Sequence, residues 1–174
     1  MGVLKRNKTV EQERAATVWG EAAAGGYNAF IEQYASLLEE IRASSTKAEV
    51  ERILPFEQIA QLKENGLTAF TVPKEFGGLG RPLNELFSFI TDLATADSNV
   101  AQALRAHFGF IEHLRAEAPS DYTKRWFERL GAGETAGAAA AEKGTARDAF
   151  ATRFTRKEGH WVINGSKFFT TGSL

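Results

Sequence analysis

The chain of 174 residues has no cysteine, and its only methionine is Met1. Without thiols this sequence can form no disulfide, no thiolate nucleophile and no cysteine-ligated metal site. The three histidines, His107, His113 and His160, do not have the spacing of metal ligands, so we predict no metal site. Chance and composition bias would explain why cysteine and methionine are so scarce. A protein that is made when sulfur is limiting would also benefit from containing few of these residues.

A strong charge of one sign and a long apolar run are also absent. The formal net charge is -1, which gives no electrostatic reason to expect nucleic acid or an anionic membrane as a partner. No apolar run approaches the roughly 20 residues that a membrane-spanning helix needs. The first residues lack the apolar stretch of a signal peptide. We therefore expect a cytoplasmic protein that binds neither nucleic acid nor membrane.

The first two-thirds of the sequence has the periodicity of helices. Residues 9–24 are rich in Ala and Glu, and apolar residues recur at helical spacing in 27–43, 82–94 and 100–117. Capping patterns then predict helix ends. Thr46 with Glu49 would begin a short helix, and Gly66 would end one. The cluster Asp97-Ser98-Asn99 and Ser120 have the side chains of N-caps, and Pro55 and Pro82 suit the first turn of a helix.

The composition changes near Gly131, after which small residues and then β-branched and aromatic residues predominate. Residues 150–155, 161–163 and 167–171 are predicted strands, and Asn164-Gly165 predicts a hairpin turn between the last two. Helices followed by strands predict an α+β fold, with a helical domain at 1–133 and a β domain beginning at 134–174. Because the last predicted strand ends close to residue 174, we expect the chain to be the front part of a longer protein.

Three segments, in this order, resemble the acyl-CoA dehydrogenase superfamily of flavoproteins. They are residues 72–80 (VPKEFGGLG), 140–145 (AAEKGT) and 164–172 (NGSKFFTTG). The resemblance implies an α-helical domain, then a β-barrel-like domain, and a C-terminal four-helix bundle that is absent from this sequence. It also implies that the second and third segments hold the flavin, through Ala140, Ala141, Glu142, Gly144, Thr145, Phe169, Thr170 and Thr171.

The details of these segments separate two branches of the superfamily. Dehydrogenases typically carry Thr-Glu-Pro where this chain has Ala141-Glu142-Lys143, and a Trp where it has Phe169. The departures resemble the flavin-dependent monooxygenases of the family, in particular the sulfur-acquisition oxidoreductases. That resemblance implies a monooxygenase of a small compound, with organosulfur compounds as one candidate class. It would take reduced flavin, FMNH2 rather than FAD, from a separate flavin reductase.

Thr171 and His107 are the candidates for catalysis. Thr171 matches the hydroxyl residue that the family places near flavin N5, and its neighbour Phe169 matches the aromatic that the family places beside the ring. Alternation along a strand would turn both to one face, although strands favour such residues for packing alone. His107 shares a helix face with Leu104 and Phe108, which suits a hydrogen-bonded core residue. In the monooxygenase branch a histidine on this helix lines the flavin pocket, where it could exchange a proton.

Two alternatives stay open at this point. The first is an FAD-dependent acyl-CoA dehydrogenase, whose carboxylate base would come from the later helical bundle. The second is a non-catalytic helical module that pairs with other subunits and has no affinity for flavin. The resemblance also implies a homotetramer at full length, and we expect no turnover from these 174 residues alone.

Overall fold

The structure is a computed structural model, and it describes residues 26–144 and 150–173. In the described residues the helices come first, followed by a two-stranded antiparallel sheet. The helices are α1 (Gly26–Glu32), α2 (Ala35–Glu51), α3 (Phe56–Glu64), α4 (Leu83–Ala96), α5 (Ser98–Ala116) and α6 (Asp121–Gly131). The strands are β1 (Arg153–Lys157) and β2 (His160–Asn164), and two 3-10 turns, Leu67–Ala69 and Lys74–Phe76, join α3 to α4.

This order confirms the predicted succession of helices and strands. The β-barrel-like domain, the boundary between residues 133 and 134 and the missing helical bundle stay predictions. The helix predicted at 9–24 lies outside the described residues, and so does Thr145. None of the helices in the described ranges has both the length and the apolar character needed to cross a membrane.

The core forms where α4 packs against α2 on one side and α5 on the other. Phe70, from the segment after the first 3-10 turn, stacks on Phe89 of α4 with ring centroids 4.9 Å apart. Phe108 of α5 meets Phe89 edge-on at 6.2 Å. All three rings are at most 2% exposed. Burying each contributes roughly 1.5–3 kcal/mol to the free energy of unfolding, so this aromatic column fixes how α4 and α5 lie together.

Polar contacts hold α1 on this core. The Tyr27 hydroxyl donates to Asp92 Oδ2 at 2.6 Å, and burial together with this bond raises the pKa of the Tyr27 phenol. The Arg81 guanidinium lies 3.9 Å from the centre of the Phe30 ring and forms an ion pair with Glu85. Such a cation over an aromatic face is attracted by the ring and also covers its apolar surface.

Three of the predicted helix ends are confirmed. Asp97 Oδ1 accepts a hydrogen bond from the backbone N–H of Asn99 at 2.8 Å. Ser120 Oγ accepts from the backbone N–H of Thr123, whose hydroxyl accepts from the backbone N–H of Ser120 in return, which is a complete capping box. Gly66 follows α3 in the left-handed conformation, with φ of 71°. These caps were predictable because a local side chain or a local φ decides each of them.

The predicted helix at 27–43 is wrong in its bounds. The chain forms two helices there, since the backbone N–H of Gln33 and of Tyr34 bond to carbonyls three residues back rather than four. The capping box at Thr46 does not begin a helix either, because α2 runs through it to Glu51. Ser44 Oγ and Ser45 Oγ bond to carbonyls of the preceding turn, which accommodates these polar residues inside the helix.

The predicted hairpin is also wrong. The tight turn between the two strands lies at Glu158-Gly159, because Lys157 pairs with His160. Both turn residues have positive φ, 48° and 83°, as a two-residue type I′ turn requires. Gly165 instead allows a close approach, since a Cβ there would overlap the side chain of Thr152. Residues 167–171 form no strand, and Phe169 has a φ of 56°. The prediction that Phe169 and Thr171 share one strand face therefore fails.

The glycine-rich end of the first segment, residues 76–80, forms a turn that closes onto α6. Gly77 and Gly80 have φ of 85° and 61°. A Cβ on Gly131, the last residue of α6, would overlap the carbonyl oxygen of Phe76. Only a residue without a side chain lets the loop and the helix end approach this closely.

Candidate functional site

The second and third segments, far apart in sequence, lie side by side in the structure. The backbone N–H of Phe168 donates to the carbonyl of Ala141 at 2.8 Å, and the N–H of Ala138 donates to the carbonyl of Thr171 at 2.8 Å. The structure therefore brings Ala140 and Ala141 together with Phe169, Thr170 and Thr171. A common ligand contacting both segments is thereby geometrically possible.

A partly buried ion pair joins the two segments. The Glu142 side chain is 3% exposed, and its Oε1 lies 2.7 Å from Lys167 Nζ. The same carboxylate accepts from the backbone N–H of Ala151 at 2.5 Å and of Thr152 at 3.1 Å. The bond from Lys167 is the largest cause that lowers the pKa of the Glu142 carboxyl to about 2. We refer to Glu142 and Lys167 as the clasp.

Two glycines seat the segments on α5. Gly172 has φ of 74°, and a Cβ on it would lie 2.6 Å from the carbonyl oxygen of Ala103. A Cβ on Gly137 would lie 3.0 Å from the carbonyl carbon of Gly172. The two segments and α5 are thus in backbone contact. Gly172, which follows Thr171, lies against Ala103, and Ala103 precedes His107 by about one turn of α5.

Two cavities open beside this crossing, and both are lined by Ala103 and Gly172. The larger is an open cleft of about 380 Å³, which Thr171 lines together with Gln102 of α5 and residues from the α2–α3 junction. The smaller, of about 150 Å³, is lined by His107, Ala136 and side chains of α3. The two catalytic candidates, Thr171 and His107, therefore line neighbouring but separate cavities.

The His107 imidazole is held at both nitrogens. Nε2 lies 2.8 Å from the carbonyl oxygen of Thr68, and Nδ1 lies 3.2 Å from the backbone nitrogen of Ala136. Since a carbonyl only accepts and an amide N–H only donates, the neutral ring must carry its proton on Nε2. Burial lowers the pKa of this imidazole below its ordinary value.

His107 is 1% exposed, and Leu104 and Phe108 beside it are equally enclosed, which confirms the predicted inward face. The ring joins the helical core to the residues that lead into the second segment. Any proton transfer through His107 must first break one of its two hydrogen bonds. Its catalytic role stays a prediction.

The aromatic side chains of the third segment point to solvent. Phe169 is 88% exposed and Phe168 is 44% exposed, so packing in the core of the described residues does not account for Phe169. Thr170 and Thr171 are half-buried, while Ala140, Ala141 and Gly144 are exposed. This arrangement does not test whether these residues contact a flavin, so their flavin-binding roles stay predictions.

The sequence interpretation missed three residues that shape the site, namely Lys167, Gly137 and Gly172. Lys167 stood within the third segment, but its pairing with Glu142 became visible only once the structure showed that the Glu142 side chain is 3% exposed and therefore needs a cation or several N–H donors. No group of three or more metal-type side chains occurs among residues 26–144 and 150–173, and the site is built from backbone, hydroxyl, aromatic and ion-paired groups.

The helical unit that leads into these two segments, α1 to α6, runs from Gly26 to Gly131. The family model for the acyl-CoA dehydrogenase N-terminal domain matches residues 27–134. The chain belongs to the acyl-CoA dehydrogenase family.

Three curated relatives indicate the range of the family around this chain. A putative acyl-CoA dehydrogenase, YdbM, from Bacillus subtilis is 27% identical over 83% of the chain and 39% of its own length. The 3-sulfinopropanoyl-CoA desulfinase of Cupriavidus necator is 24% identical over 74% of the chain and 33% of its own length. The probable FMNH2-dependent monooxygenase SfnC of Pseudomonas putida is 28% identical over 39% of the chain and 17% of its own length. The chain thus spans well under half the length of these relatives.

Proposed function

We propose that this chain forms the N-terminal part of a reduced-flavin-dependent monooxygenase that acts on a small compound, with organosulfur compounds as the first class to test. The observation that carries the proposal is the convergence of residues 138–142 with residues 167–172 beside an open cleft. In the resemblance these two segments are the ones that hold the flavin, and members of the family use flavin.

The residues present fit a flavin on three counts. Phe168 and Phe169 offer exposed aromatic surface, on which a planar ring can stack. Thr171 offers a half-buried hydroxyl at the edge of the cleft. The exposed backbone of Ala140 and Ala141 offers hydrogen-bonding groups to the polar rim of such a ring. When bound, the flavin supplies the redox chemistry and the activation of oxygen.

The protein residues have supporting roles in this proposal. Thr171 orients the ring by a hydrogen bond, and Phe169 covers one ring face. His107, through Nδ1, holds the N–H of Ala136 and so fixes the start of the segment that reaches Ala140. The remainder of the proposal follows from the resemblance: a β-barrel-like domain around the flavin, a homotetramer, and a separate reductase that supplies FMNH2.

The monooxygenase is favoured over the dehydrogenase by two features of the sequence. Ala141 lacks the hydroxyl that dehydrogenases place there, and Phe169 stands in place of their Trp. The relative whose name refers to FMNH2 supports the same choice. The 3-sulfinopropanoyl-CoA desulfinase supports an organosulfur substrate but does not favour one reaction over the other. The second candidate is an FAD-dependent acyl-CoA dehydrogenase, which the name of the YdbM relative and the shared family support.

Flavin binding by the protein at its full natural length distinguishes these functions. We would titrate it anaerobically with reduced and oxidised FMN and FAD, following flavin fluorescence and absorbance. Tight binding of reduced FMN with weak binding of oxidised FMN, and oxygen uptake in the presence of FMNH2, are the expected results. Tight binding of oxidised FAD would favour the dehydrogenase. No affinity for any flavin would contradict both and return the chain to a helical interaction module.

A further inference from the structure

We propose that the clasp, Glu142 with Lys167, is a positioning device that sets the spacing of the two segments and thereby the affinity for flavin, without contact between either charged group and the cofactor. This inference rests on the proposed function only in that flavin is the ligand. It assigns to Glu142 a role different from direct cofactor binding.

Three donors of the protein itself already occupy the Glu142 carboxylate. Its Oε1 receives Lys167 Nζ and the N–H of Thr152, and its Oε2 receives the N–H of Ala151. The side chain is 3% exposed, so a bound ring could reach it only by displacing one of these donors. Replacing a charge-assisted bond inside such an enclosed site is unfavourable, because the displaced partner is left without a hydrogen bond.

The Lys167 ammonium is similarly committed. Besides Glu142 it donates to the carbonyl of Ala140 at 3.2 Å, and it lies 4.2 Å from the centre of the Phe150 ring. Its side chain is 24% exposed. The Lys167 ammonium thus binds two residues of the second segment, the carbonyl of Ala140 and the carboxylate of Glu142. The backbone of Lys167 belongs to the third segment, so this side chain joins the two segments.

The connection from the clasp to the candidate flavin surface is short. Ala141 precedes Glu142 and accepts the N–H of Phe168, the residue after Lys167. A change in the length or charge of the clasp therefore shifts the Ala141–Phe168 pairing directly. Further along, the Ala138–Thr171 pairing is the next link between the same two segments, and it sets where the Thr171 hydroxyl lies.

The length of the side chains and their charge can be changed separately in this pair, and such variants test the inference. In the full-length protein we would prepare E142Q, which removes the charge, and E142D, which keeps the charge but shortens the arm by one methylene. K167M removes the ammonium, and K167R preserves a cation of similar reach. The matched control is E134Q, in the Arg129–Glu134 pair, which is similarly short at 2.6 Å but about half exposed and lies outside both segments.

Each variant would be measured for the Kd of reduced FMN and of oxidised FAD, the visible spectrum of the bound flavin, and the Tm without flavin. Binding would be measured well below the lowest Tm, so that loss of folded protein does not imitate loss of affinity. We expect E142Q, E142D and K167M to weaken the flavin that the wild type binds at least tenfold and to alter its spectrum. K167R should stay within about threefold of wild type, and E134Q should not change either quantity.

Three results would overturn the inference. If E142D and E142Q both bind flavin like the wild type, the clasp does not position the site. If K167R loses as much affinity as K167M, the ammonium acts through its specific fit and not by joining the segments. A wild type without any flavin affinity overturns the proposed function and this inference together, which distinguishes it from the first two results. Should E142Q or K167M fail to fold, E142D against K167R decides the matter.

Discussion

Replacement of His107 tests whether the imidazole joins the helical core to the second segment. Asn has a side-chain oxygen close to the position of Nδ1, so H107N should retain the bond from the Ala136 N–H and lose the bond to the Thr68 carbonyl. Gln extends a donor toward the position of Nε2, so H107Q should do the reverse. Phe keeps an aromatic ring, somewhat larger than the imidazole, and retains neither bond, so H107F leaves two backbone groups unsatisfied and adds a packing cost at this buried position.

The magnitude follows from the burial of the ring. Each buried backbone group left without a partner costs about 1–3 kcal/mol. We therefore expect the free energy of unfolding to fall by about 1–3 kcal/mol in H107N and in H107Q, and by about 2–6 kcal/mol in H107F. Chemical denaturation followed by circular dichroism would measure this, with unchanged denaturant slopes as the control for a common unfolded state. A cost below about 1 kcal/mol in H107F would refute the reasoning.

The burial of the same ring predicts a dependence of stability on pH with a definite sign. Burial lowers the pKa of folded His107 below its ordinary value, so the unfolded chain takes up a proton first as the pH falls. The contribution of neutral His107 to stability is complete above about pH 6.5. It decreases as the pH falls from there through the folded pKa. The wild type should therefore lose more stability than H107F between pH 7 and 5, and equal losses would contradict the assignment.

Two further predictions concern the site. Because Lys167 lowers the pKa of Glu142 to about 2, the stabilisation by its charged form should be complete above about pH 4.5 and disappear as the pH falls through the folded pKa. An NMR titration of the Glu142 carboxyl carbon with a midpoint near 4.5 would contradict it. Replacement of Gly172 by Ala adds both positive-φ strain and overlap with the Ala103 carbonyl. It should cost about 2–4 kcal/mol in thermal or chemical denaturation. The control is Gly133→Ala, which has φ of 90° but no neighbour within 4 Å, and an equal cost in both variants would show that the contact with α5 is unimportant.

The sequence was sufficient where the determinant is local. Asp97 and Ser120 cap helices because their own side chains reach a backbone N–H two or three residues ahead. The inward face of α5 was predictable from spacing alone, since Leu104 and His107 follow the helical period.

The prediction failed where two local signals competed or where the determinant was distant. Asn164-Gly165 is the stronger turn signal by residue type, but Gly165 is needed to pass Thr152, and the turn forms at Glu158-Gly159. The partner of Glu142 could not be identified because 25 residues separate it from Lys167 in sequence. The resemblance brought the two segments to attention, whereas the contact between them required the structure.

The hairpin of β1 and β2 has a consequence for how the protein behaves in solution during purification. Strand pairing puts Phe154, Trp161 and Ile163 on one face, and these side chains are 61%, 61% and 70% exposed in the described residues. Within the described ranges neither outer edge of this sheet is paired with another strand. Unpaired edges beside an apolar face are the combination that promotes intermolecular β-association. During purification of these 174 residues, this apolar face with its two unpaired edges should therefore promote association of one copy with another.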